Sequence, residues 1–265
     1  MAGDIRIAVD GRGVAEIVID HATRLNTLNA ALMGDLIDAV QALGTHPDLR
    51  VAVLRGAGER AFIGGADIDE MAALDPPAAR DFITRVHRCC DVFRRLPVPV
   101  IARLAGFTLG AGLEVAAACD LRIAAANAHF AMPEVLIGIP SVVEAALLPG
   151  LIGQGRANRL LLTGETIDAA TAAAWGLVEE VAAPEALDGA VAALVDKLLA
   201  AGPGAVRAQK ALLADWQARG VEAGIAASID IFAASFTTPE PGHMMAAFRA
   251  ADAARKAARK TAAKP

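Results

Sequence analysis

Two glutamates in this chain stand where carboxylates are costly. Glu114 lies inside GFTLGAGLEVAAACD, a glycine-rich run with no other charge from Leu104 to Cys119. Glu134 follows a proline in HFAMPEVLIGIP, again among apolar neighbours. A bare carboxylate in a core is strongly unfavourable unless it is paired, hydrogen-bonded or neutralised. Two carboxyls held close together cannot both ionise cheaply, so one can act as acid and the other as base near neutral pH. That is the equipment for removing one proton and delivering another.

Two stretches of small residues add a different capability. In AFIGGADIDEM, Gly64 and Gly65 permit backbone angles that other residues resist. Asp67 is placed to cap a helix whose third position is Glu70. The N–H of Ala66, just before that helix start, is then a donor to an oxyanion. In GFTLGAGLE, Gly106, Gly110 and Gly112 lead from a strand into a helix, and the amide of Ala111 sits at its N-terminus. Small side chains there let a ligand approach the backbone closely. Each feature also has a plain structural explanation: a capped turn, an ion pair of Glu114 with Arg103 or Arg122, a cap or surface role for Glu134. Taken together they suit one chemistry. Two amides clamp a carbonyl oxygen while two carboxyls work on the adjacent carbons, as at the α and β carbons of a thioester through an enolate. The dinucleotide fingerprint is absent, because G-A-G lacks its third glycine, and no G-K-S or G-K-T phosphate loop occurs. No zinc-type Cys or His spacing points to a metal.

Positioning these groups falls to alternating strands and helices. IRIAV and VAEIVID flank the turn DGRG as a hairpin, LNAALMGDLIDAVQAL (28–43) has helical periodicity, and DLRVAVLRG (48–56) reads as a strand buried on both faces. GAGERAFIGGA reads as a long loop, PPAARDFITRVHRCCDVFRRL (76–96) as a helix opened by prolines, and PVPVIARLAG (97–106) and CDLRIAAA as further strands. From about residue 141 the pattern turns helical, with LVEEVA (177–182) the one expected strand. The class is α/β, with a mixed core over 1–183 and a helical part over 184–265. Late apolar residues, Ile229, Phe232, Phe236, Met244, Met245 and Phe248, pack either on the chain's own core or on a partner subunit.

Composition narrows the setting. The 265 residues, 55% hydrophobic and 21% charged, can build one large domain or a core with an appendage. A net charge of -5 argues against nucleic acid as a partner, and the basic tail RKAARKTAAK is short enough to serve only as helix-end charge. Cys89, Cys90 and Cys119 form no disulfide framework, which points to a reducing compartment. With no signal-peptide pattern and no membrane-length apolar segment, a cytoplasmic protein is expected.

AFIGGADIDEM, GFTLGAGLEVAAACD and FAMPEVLIGIP, in this order and spacing, resemble the enoyl-CoA hydratase/isomerase (crotonase) family, as do HATRLNTLNAAL and LLTGETIDAATAAAWGLVEEV. The resemblance implies a spiral of ββα units, a helical trimerisation region, and a homotrimer or dimer of trimers. It implies hydration of a 2-enoyl-CoA to a 3-hydroxyacyl-CoA, with coenzyme A arriving as part of the substrate and no separate cofactor. Ala66 and Ala111 match the oxyanion-hole amides, and Glu114 and Glu134 the catalytic carboxyls, as base and acid respectively. Asp67, Ile68 and Gly110 fall in the coenzyme A-lining stretches, and Arg24 near the nucleotide. Double-bond isomerisation on the same scaffold is the competing reaction, and a non-catalytic acyl-CoA or RNA-binding member the competing class. The chain departs from the family pattern at IPSVVEAALLP, where Val142, Val143 and Glu144 replace small residues; a surface arginine is the expected partner of Glu144. The lysine expected one turn after Phe248 is Ala251, leaving Arg249, Arg255 or Lys256 for a phosphate contact.

Overall fold

The computed structural model describes residues 3–262, with side chains through Lys256. Contacts divide the chain into two compact units, 1–197 and 198–265. The first opens with strands β1 (Asp4–Val9) and β2 (Val14–Asp20), an antiparallel hairpin. Asp10 makes its turn, since Oδ1 accepts from the N–H groups of Arg12 and Val14 at 2.8 and 2.9 Å. Helix α1 (Ala30–Leu43) follows, capped by Asn29, whose side chain accepts from Leu32 N–H. Its Leu32, Met33, Leu36 and Val40 recur at helical spacing and are buried.

The next three passages repeat one plan. Strands β3 (Val51–Gly56) and β4 (Ala61–Ile63) precede helices α2 (Ile68–Met71) and α3 (Pro76–Arg95). Strands β5 (Val100–Leu104) and β6 (Phe107–Leu109) precede α4 (Ala111–Ala118). Strands β7 (Leu121–Ala125) and β8 (His129–Ala131) precede the turn Pro133–Ile137. With two later strands, β9 (Thr166–Asp168) and β10 (Glu180–Ala182), the first strand of each pair joins a six-stranded sheet, β1-β2-β3-β5-β7-β10, and the second joins a four-stranded sheet, β4-β6-β8-β9. The chain thus winds between two sheets, as a spiral of ββα units does. A 3₁₀ turn (Val143–Leu147), α5 (Leu148–Ile152), α6 (Gln154–Thr163), β9 (Thr166–Asp168), α7 (Ala169–Trp175), β10 (Glu180–Ala182) and α8 (Leu187–Leu199) follow.

Three expectations change. GAGERAFIGGA contains β4 rather than being all loop, β6 stands between Gly106 and the helix, and β9 pairs antiparallel with β8 where a wholly helical stretch was expected. Strands of three residues carry too little alternation to be distinguished from loop. The two compact units divide between residues 197 and 198, inside α8 (Leu187–Leu199).

The second unit holds α9 (Pro203–Arg219), α10 (Val221–Ser235) and α11 (Glu240–Ala262). Ile229, Phe232, Phe236, Met244, Met245 and Phe248 are all exposed on the single chain. Arg255 and Lys256 both lie beside Asp252; the side chains of the rest of the basic tail fall outside the described residues. Among the described residues no single helix is long and apolar enough to cross a membrane.

Helix α4 rests directly on β4. A Cβ at Gly112 would stand 2.2 Å from the Ile63 carbonyl oxygen, so only glycine permits this approach. Gly34, inside α1, faces open space. Gly34→Ala should therefore raise stability by about 0.5–1 kcal/mol, whereas Gly112→Ala should lower it by about 1–3 kcal/mol. Urea denaturation of the two variants checks the opposite signs.

Candidate active site

The small sheet acts as a ruler for the site. Strands β4, β6 and β8 run parallel, with Ile63 beside Thr108 and Thr108 beside Phe130. Counting three residues on from Ile63 and from Thr108 reaches Ala66 and Ala111, and four on from Phe130 reaches Glu134. The carboxyl ends of adjacent strands therefore deliver both amides and one carboxyl to the same edge.

Each amide is left without an acceptor by its local structure. Ala66 forms a parallel bridge with Leu28, in which Leu28 N–H donates to Gly65 O and Asp67 N–H donates to Leu28 O, both at 2.9 Å. A parallel bridge of this kind uses the flanking groups, so the N–H of Ala66 itself faces away from Leu28. Ala111 is the first residue of α4, where no intrahelical acceptor exists. Gly110 before it has φ 51 and offers no side-chain cap. Neither amide donates to an acceptor among the described residues. The expected cap of α2 is present in part: Asp67 Oδ1 accepts from Asp69 and Glu70 N–H, while Glu70 Oε2 accepts from Ala30 N–H at 2.8 Å instead of closing a capping box.

All eight residues of α4 are buried, Glu114 among them at 4% exposure. A helix enclosed on every side is apolar all round, which explains the isolated charge in the sequence. The helix is held at its far end by Arg122, whose Nη1 donates to the carbonyls of Ala116 and Cys119 and whose Nη2 pairs with Glu179. Arg103 is taken by Glu59 and Asp188. Neither arginine neutralises Glu114. Its Oε1 accepts from Ala145 N–H at 3.3 Å, the longer arm of a donor that also reaches Val142 O at 2.9 Å. Burial, then the nearby Glu134 charge, push its carboxyl up to about 8, against the Ala145 hydrogen bond, which favours the ionised form. In the ligand-free protein Glu114 therefore holds a proton at neutral pH.

Glu134 stands in the turn after β8. Ser141 Oγ donates to its Oε2 at 2.7 Å. Its Oε1 occupies the space of the missing side chain at Gly110, where a Cβ would lie 2.3 Å away. This carboxyl thus rests against the residue that precedes the Ala111 amide.

Glu144 is not paired with a surface arginine. It is 4% exposed, and its Oε1 meets His87 Nδ1 at 2.8 Å. Its Oε2 is buried without a hydrogen-bond partner. The expected helix over this segment begins as a 3₁₀ turn, and Val143 takes φ 40, a costly conformation for a β-branched residue. His87, Ser141 and the Ala145 amide were not expected at the site; only Ser141, a lone hydroxyl in an apolar run, leaves a trace in the sequence.

The expected coenzyme A-facing residues Arg24, Asp67 and Ile68 are brought together. Arg24 Nη2 lies 2.7 Å from Asp69 and 3.5 Å from Asp67, and Ile68 is exposed. Arg24 is thus engaged by carboxylates. Gly110 lies apart from this cluster, against Glu134.

A family model described as enoyl-CoA hydratase/isomerase matches residues 10–250. A crotonyl-CoA hydratase of Syntrophomonas wolfei subsp. wolfei is 35% identical over 89% of this chain and 91% of its own length. A short-chain-enoyl-CoA hydratase of Clostridium acetobutylicum is 33% identical over 89% of this chain and 90% of its own. The solved enoyl-CoA hydratase of Mycobacterium smegmatis superposes with a TM-score of 0.89 at 31% identity, covering 92% of this chain and 95% of that one. A match across nearly the whole chain, in both sequence and fold, places this chain in the enoyl-CoA hydratase/isomerase family.

Proposed function

We propose that the protein adds water across the 2,3 double bond of a 2-enoyl-CoA thioester, giving a 3-hydroxyacyl-CoA. The observation that carries this reading is that two amides without an acceptor among the described residues and the Glu134 carboxyl meet at one edge of the small sheet, with Glu114, inside α4, close enough to feel the Glu134 charge. The thioester oxygen binds between Ala66 N–H and Ala111 N–H, which polarises C3 and stabilises the enolate. With substrate bound, the proton that the pair shares sits on Glu134: Glu114, ionised, takes a proton from the water that attacks C3, and Glu134 supplies its proton to C2. Coenzyme A is part of the substrate, and no further cofactor enters. Arg24, Asp67, Ile68 and Gly110 line the coenzyme A side. The exposed apolar residues of α10 and α11 support a homotrimer or dimer of trimers. Three free, buried cysteines support a reducing, cytoplasmic setting.

Loss of conjugated-thioester absorbance across a panel of 2-enoyl-CoAs, with 3-enoyl-CoAs run beside it, tests the reaction. Bleaching of the 2-enoyl series is expected; appearance of conjugation from the 3-enoyl series alone would assign isomerisation instead. Glu114→Gln and Glu134→Gln should each lower kcat by roughly 10²–10⁴ while ester binding, followed calorimetrically, stays near that of the unaltered protein. Ala111→Pro should cost about 10²–10³ in kcat with little loss of stability, since proline is tolerated at a first helical position.

Hydration needs one carboxyl ionised and the other protonated, so the pair must keep one proton between them. In the ligand-free protein Glu114 holds that proton to about 8, so kcat/KM should fall above about 8 as the pair loses it. A profile that stays level through that range would show that this proton is not used in the reaction. The same group bears on stability. The unfolded chain releases this proton near 4.5 and the native protein holds it to about 8, so this group lowers stability as pH rises between the two. Thermal melts of Glu114→Gln should lack that decline and show a higher Tm than the unaltered protein at pH 8.

A further inference from the structure

We propose that Glu144, clamped by His87, is a positioning residue for Glu114, fixing the turn that presents the Ala145 N–H to the Glu114 carboxyl. The inference rests on the acid–base role of Glu114. It begins from an arrangement that folding alone would disfavour. Glu144 is almost fully buried, one of its oxygens has no hydrogen-bond partner, and the residue before it is a valine at φ 40. A strained turn holds its shape only where its surroundings fix it.

The fixing contact is the bond between His87 Nδ1 on α3 and Glu144 Oε1, at 2.8 Å. With Glu144 ionised, the histidine donates. The next residue along the chain, Ala145, donates its amide to Glu114 Oε1 on α4. The turn therefore bridges two helices, anchored to α3 by a side chain and touching α4 by a main-chain donor. The same amide also donates to Val142 O at 2.9 Å within the turn, so its reach to Glu114, at 3.3 Å, is the longer arm of a shared bond, and a small rotation of the turn would break it. The charged and titratable groups that bear on Glu114 are Glu134 from the turn after β8, Glu144 itself, whose charge also disfavours ionised Glu114, and the Cys90 thiol on α3, which burial and then Glu144 and Glu114 push well up and so keep neutral. His87 is half exposed and acts through Glu144.

The test is a pair of paired substitutions in the hydration assay. Glu144→Ala and His87→Leu remove the clamp. Each should lower kcat roughly ten- to a hundredfold, the size of one lost hydrogen bond to a charged group, with KM within about twofold. In His87→Leu the falling limb of kcat/KM near 8 should move to higher pH, because the Ala145 donor that favours ionised Glu114 is displaced. Glu144→Gln and His87→Asn keep an acceptor and a donor in place, and should restore the turnover that the first two lose. If Glu144→Gln is as impaired as Glu144→Ala, Glu144 takes part in the chemistry directly and the positioning role is overturned. If the clamp-free variants lose only Tm and keep kcat and the limb, the pair is merely structural and the proposal is likewise overturned. Should either clamp-free variant fail to fold, a loss beyond tenfold in folded Glu144→Gln overturns it, and turnover within threefold supports it. Glu114→Gln, assayed alongside, separates the two levels: full activity there removes the parent reading, whereas its inactivity beside unaffected clamp variants removes only this inference.

Discussion

The burial of a single carboxyl organises the centre of this protein. Helix α4 is enclosed on every side, and Glu114 lies one turn inside it. Neither buried arginine nearby is free to neutralise it, since Arg103 and Arg122 are committed to other carboxylates and carbonyls. What remains for Glu114 is a proton and the amide of Ala145. A scaffold that keeps a carboxyl in this condition must hold α4 rigidly. It does so by backbone contact with β4 at Gly112 and by the guanidinium of Arg122 on the last carbonyls.

Around that helix, the small parallel sheet settles distance by register rather than by side-chain packing. Because β4, β6 and β8 are aligned, short connections of similar length emerge level with one another. One brings the Ala66 amide, the next the start of α4, and the third the turn that carries Glu134. The larger sheet, with its wholly buried β5 and nearly buried β3 and β7, supplies the stiffness. Apart from the short β10, the strands of the larger sheet run to five residues or more and build the core, while three-residue strands set out the site.

The sequence revealed what periodicity and charge can encode. Helices α1 and α3 were legible from apolar spacing and from proline at the start of α3, and the central strands from their apolar runs. Glu114 and Glu134 stood out as lone charges among apolar residues. Their partners did not. The Ala145 donor is main chain and has no residue signature. His87 is 57 positions from Glu144 in a helix also carrying Arg85 and Arg88, where it resembles a solvated residue. Glu144 itself was misjudged because the segment enters as a tight 3₁₀ turn, which carries the side chain inward between α3 and α4. Strands β4, β6 and β9 carry no such signal, because they are defined by their neighbours across the sheet.

Placing the oxygen clamp in the main chain has an evolutionary consequence. Side-chain mutation at Ala66 or Ala111 leaves an N–H in place, so long as the replacement is not proline and the backbone keeps its path. On the proposed reading, thioester recognition is then written in topology, while reactivity is written in a few exchangeable side chains. A lineage built this way can retire one carboxyl, or recruit another such as Glu144, and arrive at a different transformation of the same class of ester without redesigning its grip.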